Sequence, residues 1–291
     1  MTGAGRGKTA LITGATSGIG KETALALARD GFHVVIVGRH ATKTVKTAQW
    51  LVEQTGNQGI EFIVADLTSQ AEVRRVAREF QASHQRLDVL INNAGAVFPE
   101  WELTADGIER TWALNHLAPM LLSLALLGML KTSAPSRIVN VASSSQSNGR
   151  IDRGNQHARE AFNMNAYSNA KLANVMATYA LSRRLNGTGI TVNCLHPGVV
   201  ATSFGKNAGG WIASLSTLAK PFLLTPRTGA ATSVYVASAP ELERVTGKYF
   251  AKSVARKSSP VSYDLALQEE LWQTSLREIG VDDLPVAASA A

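Results

Sequence analysis

Tyr167 and Lys171 stand four residues apart in AYSNAK, a stretch that reads as helix. At that separation both side chains lie on one helical face, so an ammonium can sit beside a phenol. A free phenol, with a pKa of about 10, exchanges protons poorly at neutral pH. A nearby cation favours the phenolate and lowers that value. The pair is therefore either an acid with the cation that tunes it or two unrelated surface residues, and only context separates these readings. A second chemical signal is the glycine-rich TGATSGIG, residues 13–20, which ends an apolar run and opens a helical one. Glycines there permit a tight turn and close backbone approach, and the helix N-terminus offers amides to a pyrophosphate.

These groups need a frame, and the chain alternates between two periodicities. KTALITG, HVVIVG, IEFIVADL, LDVLINNAG, SRIVNVASS and GITVNCLHPG read as strands. Between them lie helical patterns, among them GIGKETALALARDG, ATKTVKTAQWLVEQTG, SQAEVRRVAREFQASH, a long stretch over 111–131, and AYSNAKLANVMATYALSRRLNG. Strands apolar on both faces and separated by helices predict a parallel sheet covered on both sides. The expected architecture is one α/β domain over 8–280, a Rossmann-type doubly wound sheet of about seven strands, with a flexible N-terminus over 1–7 and a tail over 281–291. Two segments break the rhythm, 147–165 and 198–226, and long loops in compact domains commonly carry function. Phe98, Trp101, Phe204, Trp211 and Phe222 fall in or near them. They suggest an apolar substrate pocket, with packing or subunit contact as the alternative.

Composition narrows the function classes. The 291 residues carry a formal net charge of +7, with 45% hydrophobic and 18% charged residues. The basic residues are scattered, without runs or interleaved aromatics, which argues for a solvated basic surface rather than nucleic-acid binding. One cysteine, Cys194 in the strand-like TVNCL, excludes an intrachain disulfide and a cysteine-rich metal centre. No metal is expected. The N-terminus has no apolar stretch of signal-peptide length, and the longest apolar run, 117–130, falls short of the ~20 residues that span a bilayer. A cytoplasmic location is expected.

TGATSGIG, NNAG at 92–95, Asn115, Ser143, YSNAK and HPG at 196–198 occur in an order that resembles the short-chain dehydrogenase/reductase family, over about residues 8–250. GATSGIGKETALALARDG, AYSNAKLANV and EELWQTSLREIG look most like its retinol-dehydrogenase-like branch. The resemblance implies that Tyr167 is the catalytic acid or base, that Lys171 lowers its pKa and holds the nicotinamide ribose, and that Ser143 orients the carbonyl oxygen. Asn115 would support a water linking Lys171 to solvent. It further implies cofactor contacts from Gly14, Thr16, Ser17, Gly18, Ile19, Gly20, Asn93, Ala94 and Gly95, adenine contacts from Asp66 and Leu67, and a nicotinamide wall from Pro197, Gly198, Val200 and Thr202. The family's oligomers, homodimer or homotetramer, usually join through the helices corresponding to 111–131 and to the Tyr167 helix.

Family members that use NAD place a carboxylate at the end of the second strand, where this chain has Gly38 followed by Arg39. A guanidinium suits a 2′-phosphate that a carboxylate would repel, so NADP(H) is expected over NAD(H). Lys21 either faces the cofactor phosphates or is simply solvated. Asp66 alone would read as a turn residue. Three serines are consecutive, Ser143 to Ser145, and the strand end selects the first. His196 invites a triad with Ser143, but no nucleophile elbow is present. The reading is an NADP(H)-dependent carbonyl reductase or alcohol dehydrogenase acting on a retinoid, steroid, lipid-like or polycyclic substrate. The alternative is a non-catalytic NADP-binding regulatory or scaffold protein.

Overall fold

A computed structural model describes residues 5–152, 157, 165–198 and 224–283. Strands form where aliphatic and β-branched residues run together: β1 Thr9–Thr13, β2 His33–Gly38, β3 Ile60–Val64, β4 Val89–Asn92, β5 Ser136–Val141 and β6 Ile190–His196. All residues of β1 and β4 are buried, as unalternating apolar runs require when helices cover both faces. Two short strands follow, β7 Tyr249–Ala251 and β8 Val254–Arg256. The sheet order is β3-β2-β1-β4-β5-β6-β7-β8, parallel through β7, with β8 antiparallel to it.

Among the described residues the sheet thus has one strand beyond the expected number. The β7–β8 turn places Lys252 and Ser253 side by side at φ 52° and 58°. Two adjacent left-handed residues make the tight hairpin turn usually marked by Asn-Gly, a mark that Lys-Ser does not carry.

Two apolar layers fix the helices. On one face α1 (Gly18–Arg29), α2 (Ala41–Thr55) and a helix over Pro226–Ser238 bury Ala24, Leu27, Leu51 and Val236 against Ile12, Ile36 and Val139. On the other, α3 (Gln70–Ser83), α7 (Asn165–Arg184) and a C-terminal helix over Leu265–Ile279 bury Phe80, Met176 and Trp272 with Leu11, Leu90 and Ile138. Start signals are local. Ser69, Thr225 and Asp264 accept the amides of Glu72, Thr228 and Leu267, and Pro226 occupies a first-turn position that needs no amide.

The stretch over 111–131 is not one helix. It divides into α4 (Arg110–Trp112), a π-helical turn over Ala113–Leu117, α5 (Ala118–Ala125) and α6 (Leu127–Thr132). Pro119 has no amide to give the Asn115 carbonyl four residues back. The backbone widens instead, and the Ala118 amide bonds the Ala113 carbonyl, five residues back.

Contacts extend a little past both expected domain boundaries. The Gly5 amide bonds the Asp30 carbonyl at 3.2 Å, and Asp283 accepts from Trp272 Nε1 at 2.7 Å and Arg184 Nε at 3.2 Å. Among the described residues no helix is long and apolar enough to cross a membrane.

Candidate active site

The chain winds from β1 through β3 toward one sheet edge, then crosses back so that β4 lies on the other side of β1. The helices that follow β1 and β4 pack on opposite faces of the sheet, and a switch point of this kind opens a crevice at the carboxyl ends of the strands. Gly14 and Gly18 hold φ values of 65° and 55°, a region that glycine enters without penalty. A Cβ on Gly14 would lie 2.7 Å from the Ala94 Cα, and one on Gly20 would lie 2.3 Å from Asn93 Nδ2. The two loops interlock. Asn93 Nδ2 donates to the Thr13 and Gly14 carbonyls at 2.9 and 3.1 Å, while Thr13 Oγ1 accepts the Asn93 and Ala94 amides, both at 3.0 Å. Ser17 makes no side-chain cap, and the first turn of α1 has no acidic residue, so the helix's leading amides face the crevice without an internal anion.

Gly38 at the end of β2 is sterically fixed as well. A Cβ there would meet Thr16 Cγ2 and Thr44 Oγ1, each at 2.3 Å, so a carboxylate cannot be placed at this position without moving its neighbours. Beyond it Arg39 is exposed, with a guanidinium nitrogen 3.4 Å from His40 Nε2. An open cleft of about 600 Å³ follows, whose lining includes Thr16, Lys21, His40, Lys43, Lys46 and Trp50. Lys21 sits over the Trp50 ring, 3.4 Å from its centroid, which occupies the cation left open by the sequence. Lys43 and Lys46 were not singled out by sequence reasoning. Their signal is three-residue spacing along the exposed side of α2 that lines this cleft. Asp66 caps its own turn, accepting from Thr68 N at 3.0 Å and Thr68 Oγ1 at 2.9 Å, and Leu67 is buried.

At the reacting end, Ser143 leaves β5 and caps a short 3-10 turn over Ser144–Asn148, its Oγ accepting the Ser145 amide at 3.1 Å. That turn lies directly on α7 because Gly149 has no side chain: a Cβ would be 2.5 Å from the Ser168 carbonyl. The approach brings the Ser143 and Tyr167 hydroxyls into a hydrogen bond. One turn along α7, Lys171 is buried, donates to the Val141 carbonyl at 2.9 Å, and has its Nζ 5.6 Å from the Tyr167 ring centroid. Burial raises the Tyr167 pKa, opposed by the Ser143 hydrogen bond, and pulls Lys171 down to about 7. In the protein alone desolvation therefore outweighs the expected lowering of the phenol, and both side chains are biased toward their neutral forms.

Asn115 lies in the π-helical turn and is fully buried. Its Nδ2 donates to the Ala96 and Thr111 carbonyls, both at 2.9 Å, and Oδ1 accepts the Ala96 amide at 3.3 Å. The main-chain carbonyl that Pro119 leaves free accepts Asn174 Nδ2 at 3.2 Å. A Cβ on Gly95 would stand 2.8 Å from Asn115 Oδ1 and 3.2 Å from Lys171 Nζ, so the NNAG turn passes between these two groups. Sequence reasoning missed the polar ladder behind them. Asn92 Nδ2 donates to Asn140 Oδ1 at 2.8 Å, Asn140 Nδ2 to Thr178 Oγ1 at 2.9 Å, and Thr178 Oγ1 to the Asn174 carbonyl at 2.8 Å. The bonded part of this ladder rigidifies what it supports, while Asn92 Oδ1 is buried without a hydrogen-bond partner. Asparagines inside otherwise aliphatic strands were the available signal.

His196 Nδ1 accepts the Ser144 amide at 3.0 Å, so this nitrogen is not a base toward the Ser143 hydroxyl. His116 is buried against Ser275 at 2.7 Å, its pKa pulled by burial to about 4, a packing role. Cys194 is fully buried and its thiol is pushed up to about 12. Of the aromatics, Trp101 donates Nε1 to the His157 carbonyl at 2.9 Å, and Phe98 lies 4.3 Å from the Arg110 guanidinium carbon. His157 Nε2 pairs with Glu278 at 2.8 Å, tying the segment before α7 to the C-terminal helix. Gly198, at φ 89°, follows the half-buried Pro197. Val200, Thr202, Phe204, Trp211 and Phe222 lie outside the described residues.

The short chain dehydrogenase family matches residues 8–212. Human retinol dehydrogenase 13 is 40% identical over 284 residues, covering 95% of this chain and 86% of its own. Among solved structures, an uncharacterized protein from Mycobacterium paratuberculosis superposes with a TM-score of 0.77 at 28% identity, covering 96% of each chain. A short chain dehydrogenase from Burkholderia cenocepacia in complex with NADP gives 0.69 at 28% identity, covering 85% of this chain and 96% of its own. The interlocked glycine turn, the serine–tyrosine contact and the buried lysine thus occur in a chain that belongs to the short-chain dehydrogenase family of oxidoreductases.

Proposed function

We propose that this protein is an NADP(H)-dependent oxidoreductase that interconverts a carbonyl compound and a primary or secondary alcohol. The hydrogen-bonded Ser143 and Tyr167 hydroxyls, one helical turn from buried Lys171, carry this reading. The crevice fits a dinucleotide: where a pyrophosphate would approach, Gly14, Gly18 and Gly20 present backbone, and the amides of Ile19 and its neighbours face outward at a positive helix end. When bound, NADPH supplies the hydride. Thr16, Ser17, Asn93, Ala94, Asp66 and Leu67 would line its path, with Pro197 and Gly198 toward the nicotinamide, a role that the family resemblance also assigns to Val200 and Thr202. Arg39, supported by Lys43 and Lys46, receives the 2′-phosphate, at a strand end where Gly38 offers no competing carboxylate.

During reduction Tyr167 donates its proton to the substrate oxygen, and Ser143 holds that oxygen by a hydrogen bond. In its ammonium form Lys171 uses one N–H for the Val141 carbonyl, leaving two for ribose hydroxyls. A water held at the Asn115 carbonyl returns the proton through Lys171 to Tyr167. Burial keeps the phenol protonated until the transfer, which suits an acid in the reductive direction. An apolar substrate is supported by two observations: human retinol dehydrogenase 13 is named for retinol, and Phe98 and Trp101 lie in the loop that follows β4 and the NNAG turn. A panel of retinoid, steroid, polycyclic and short-chain aldehydes and ketones tests this. NADPH consumption should be fastest with the apolar members; binding of NADPH with no turnover across the panel would favour the regulatory alternative.

A further inference from the structure

At the opposite end of the sheet from the crevice, three side chains from three elements converge. His33 opens β2, Glu61 lies in the edge strand β3, and His84 is the C-terminal cap of α3. His33 Nε2 is 2.9 Å from Glu61 Oε1 and 3.3 Å from His84 Nε2, and His84 Nε2 is 3.7 Å from the same carboxylate oxygen. We propose that His33, Glu61 and His84 form a binding site for a borderline divalent cation of the Zn²⁺ class.

The donor set is two imidazoles and one carboxylate, the set that Zn²⁺ accepts with a fourth position left open. Ligand atoms about 2.1 Å from a tetrahedral ion lie about 3.4 Å from one another. The three observed separations bracket that edge, so an ion can enter with shifts of a few tenths of an ångström. The network assigns the tautomer of His84: Nδ1 donates to the Phe80 carbonyl at 3.1 Å, so Nε2 turns its lone pair toward the other two ligands. A metal-ligating imidazole is commonly oriented this way by a carbonyl on its other nitrogen. The ring is held further by stacking on Phe80, centroids 4.3 Å apart. His84 sits at the carbonyl end of α3, where a positive charge is favoured. Access is graded suitably, with the Glu61 side chain half exposed and His84 nearly buried. Bound there, the ion would clamp β3, an edge strand, to β2 and α3.

Zn²⁺ alone, titrated into chelator-treated protein in competition with a chromophoric chelator, tests the site without using activity. One equivalent per chain should bind and raise the thermal midpoint. Glu61→Gln, a conservative change at an exposed side chain, and His84→Gln should each weaken Zn²⁺ at least tenfold and abolish the thermal shift. Metal-free midpoints near wild type would show that both variants fold. Absence of saturable one-to-one binding to the wild type, or binding unchanged in both folded variants, would overturn the proposal.

Discussion

Burying Lys171 should cost the free protein stability in a pH-dependent way, and Lys171→Met isolates that cost. Burial lowers its pKa from 10.5 to about 7. Below pH 7 both folded and unfolded chains hold the proton, and the folded chain carries the full penalty for a desolvated ammonium. Between pH 7 and 10.5 the unfolded chain binds the proton that the folded chain has released, so wild-type stability rises with pH through this window. The shift corresponds to at most about 5 kcal/mol. Methionine removes the penalty but leaves the Val141 carbonyl without its donor, which returns about 1–3 kcal/mol. The variant, measured without cofactor, should therefore be about 2–4 kcal/mol more stable than wild type at pH 6. That advantage should vanish or reverse by pH 10. Urea denaturation followed by circular dichroism at pH 6, 8 and 10 measures the difference directly. A variant that is no more stable at pH 6, or a difference constant with pH, would refute the reasoning that this lysine trades stability for function.

Gly20→Ala drives a methyl into Asn93 Nδ2 and the Gly14 carbonyl. Losing the Asn93 bonds and straining the turn should cost about 2–4 kcal/mol, lowering the thermal midpoint by roughly 5–15 °C and weakening NADPH binding. Arg39→Asp should raise the KM for NADPH about 10–100-fold through lost charge-assisted bonds, with little change for NADH. Equal losses with both cofactors would remove the phosphate role of Arg39.

Much of this arrangement is legible from local chemistry. Continuous apolar runs give the parallel strands, and glycine-rich junctions mark the crevice, because both depend on residue type over short distances. The β7–β8 hairpin hides because Lys252 and Ser253 adopt a turn that their side chains do not advertise. The break over 113–117 is half visible: Pro119 announces a defect, but the carbonyl it frees and the partner at Asn174 come from tertiary packing. The direction of the Tyr167 shift also needs the fold, since spacing shows a neighbouring cation but not how deeply both groups are buried. His33, Glu61 and His84 are scattered along the sequence and meet only through strand order and the end of α3. No spacing rule would gather them, which is why no metal was expected.

The central claim is that the Tyr167 hydroxyl is the proton donor at a working cofactor site. Stopped-flow or steady-state NADPH oxidation by Tyr167→Phe, with NADPH affinity measured in parallel by fluorescence, tests it most directly. Cofactor binding should be retained and kcat should fall at least about 100-fold, the contribution typical of positioned acid–base catalysis. Turnover equal to wild type with the same substrate would contradict it.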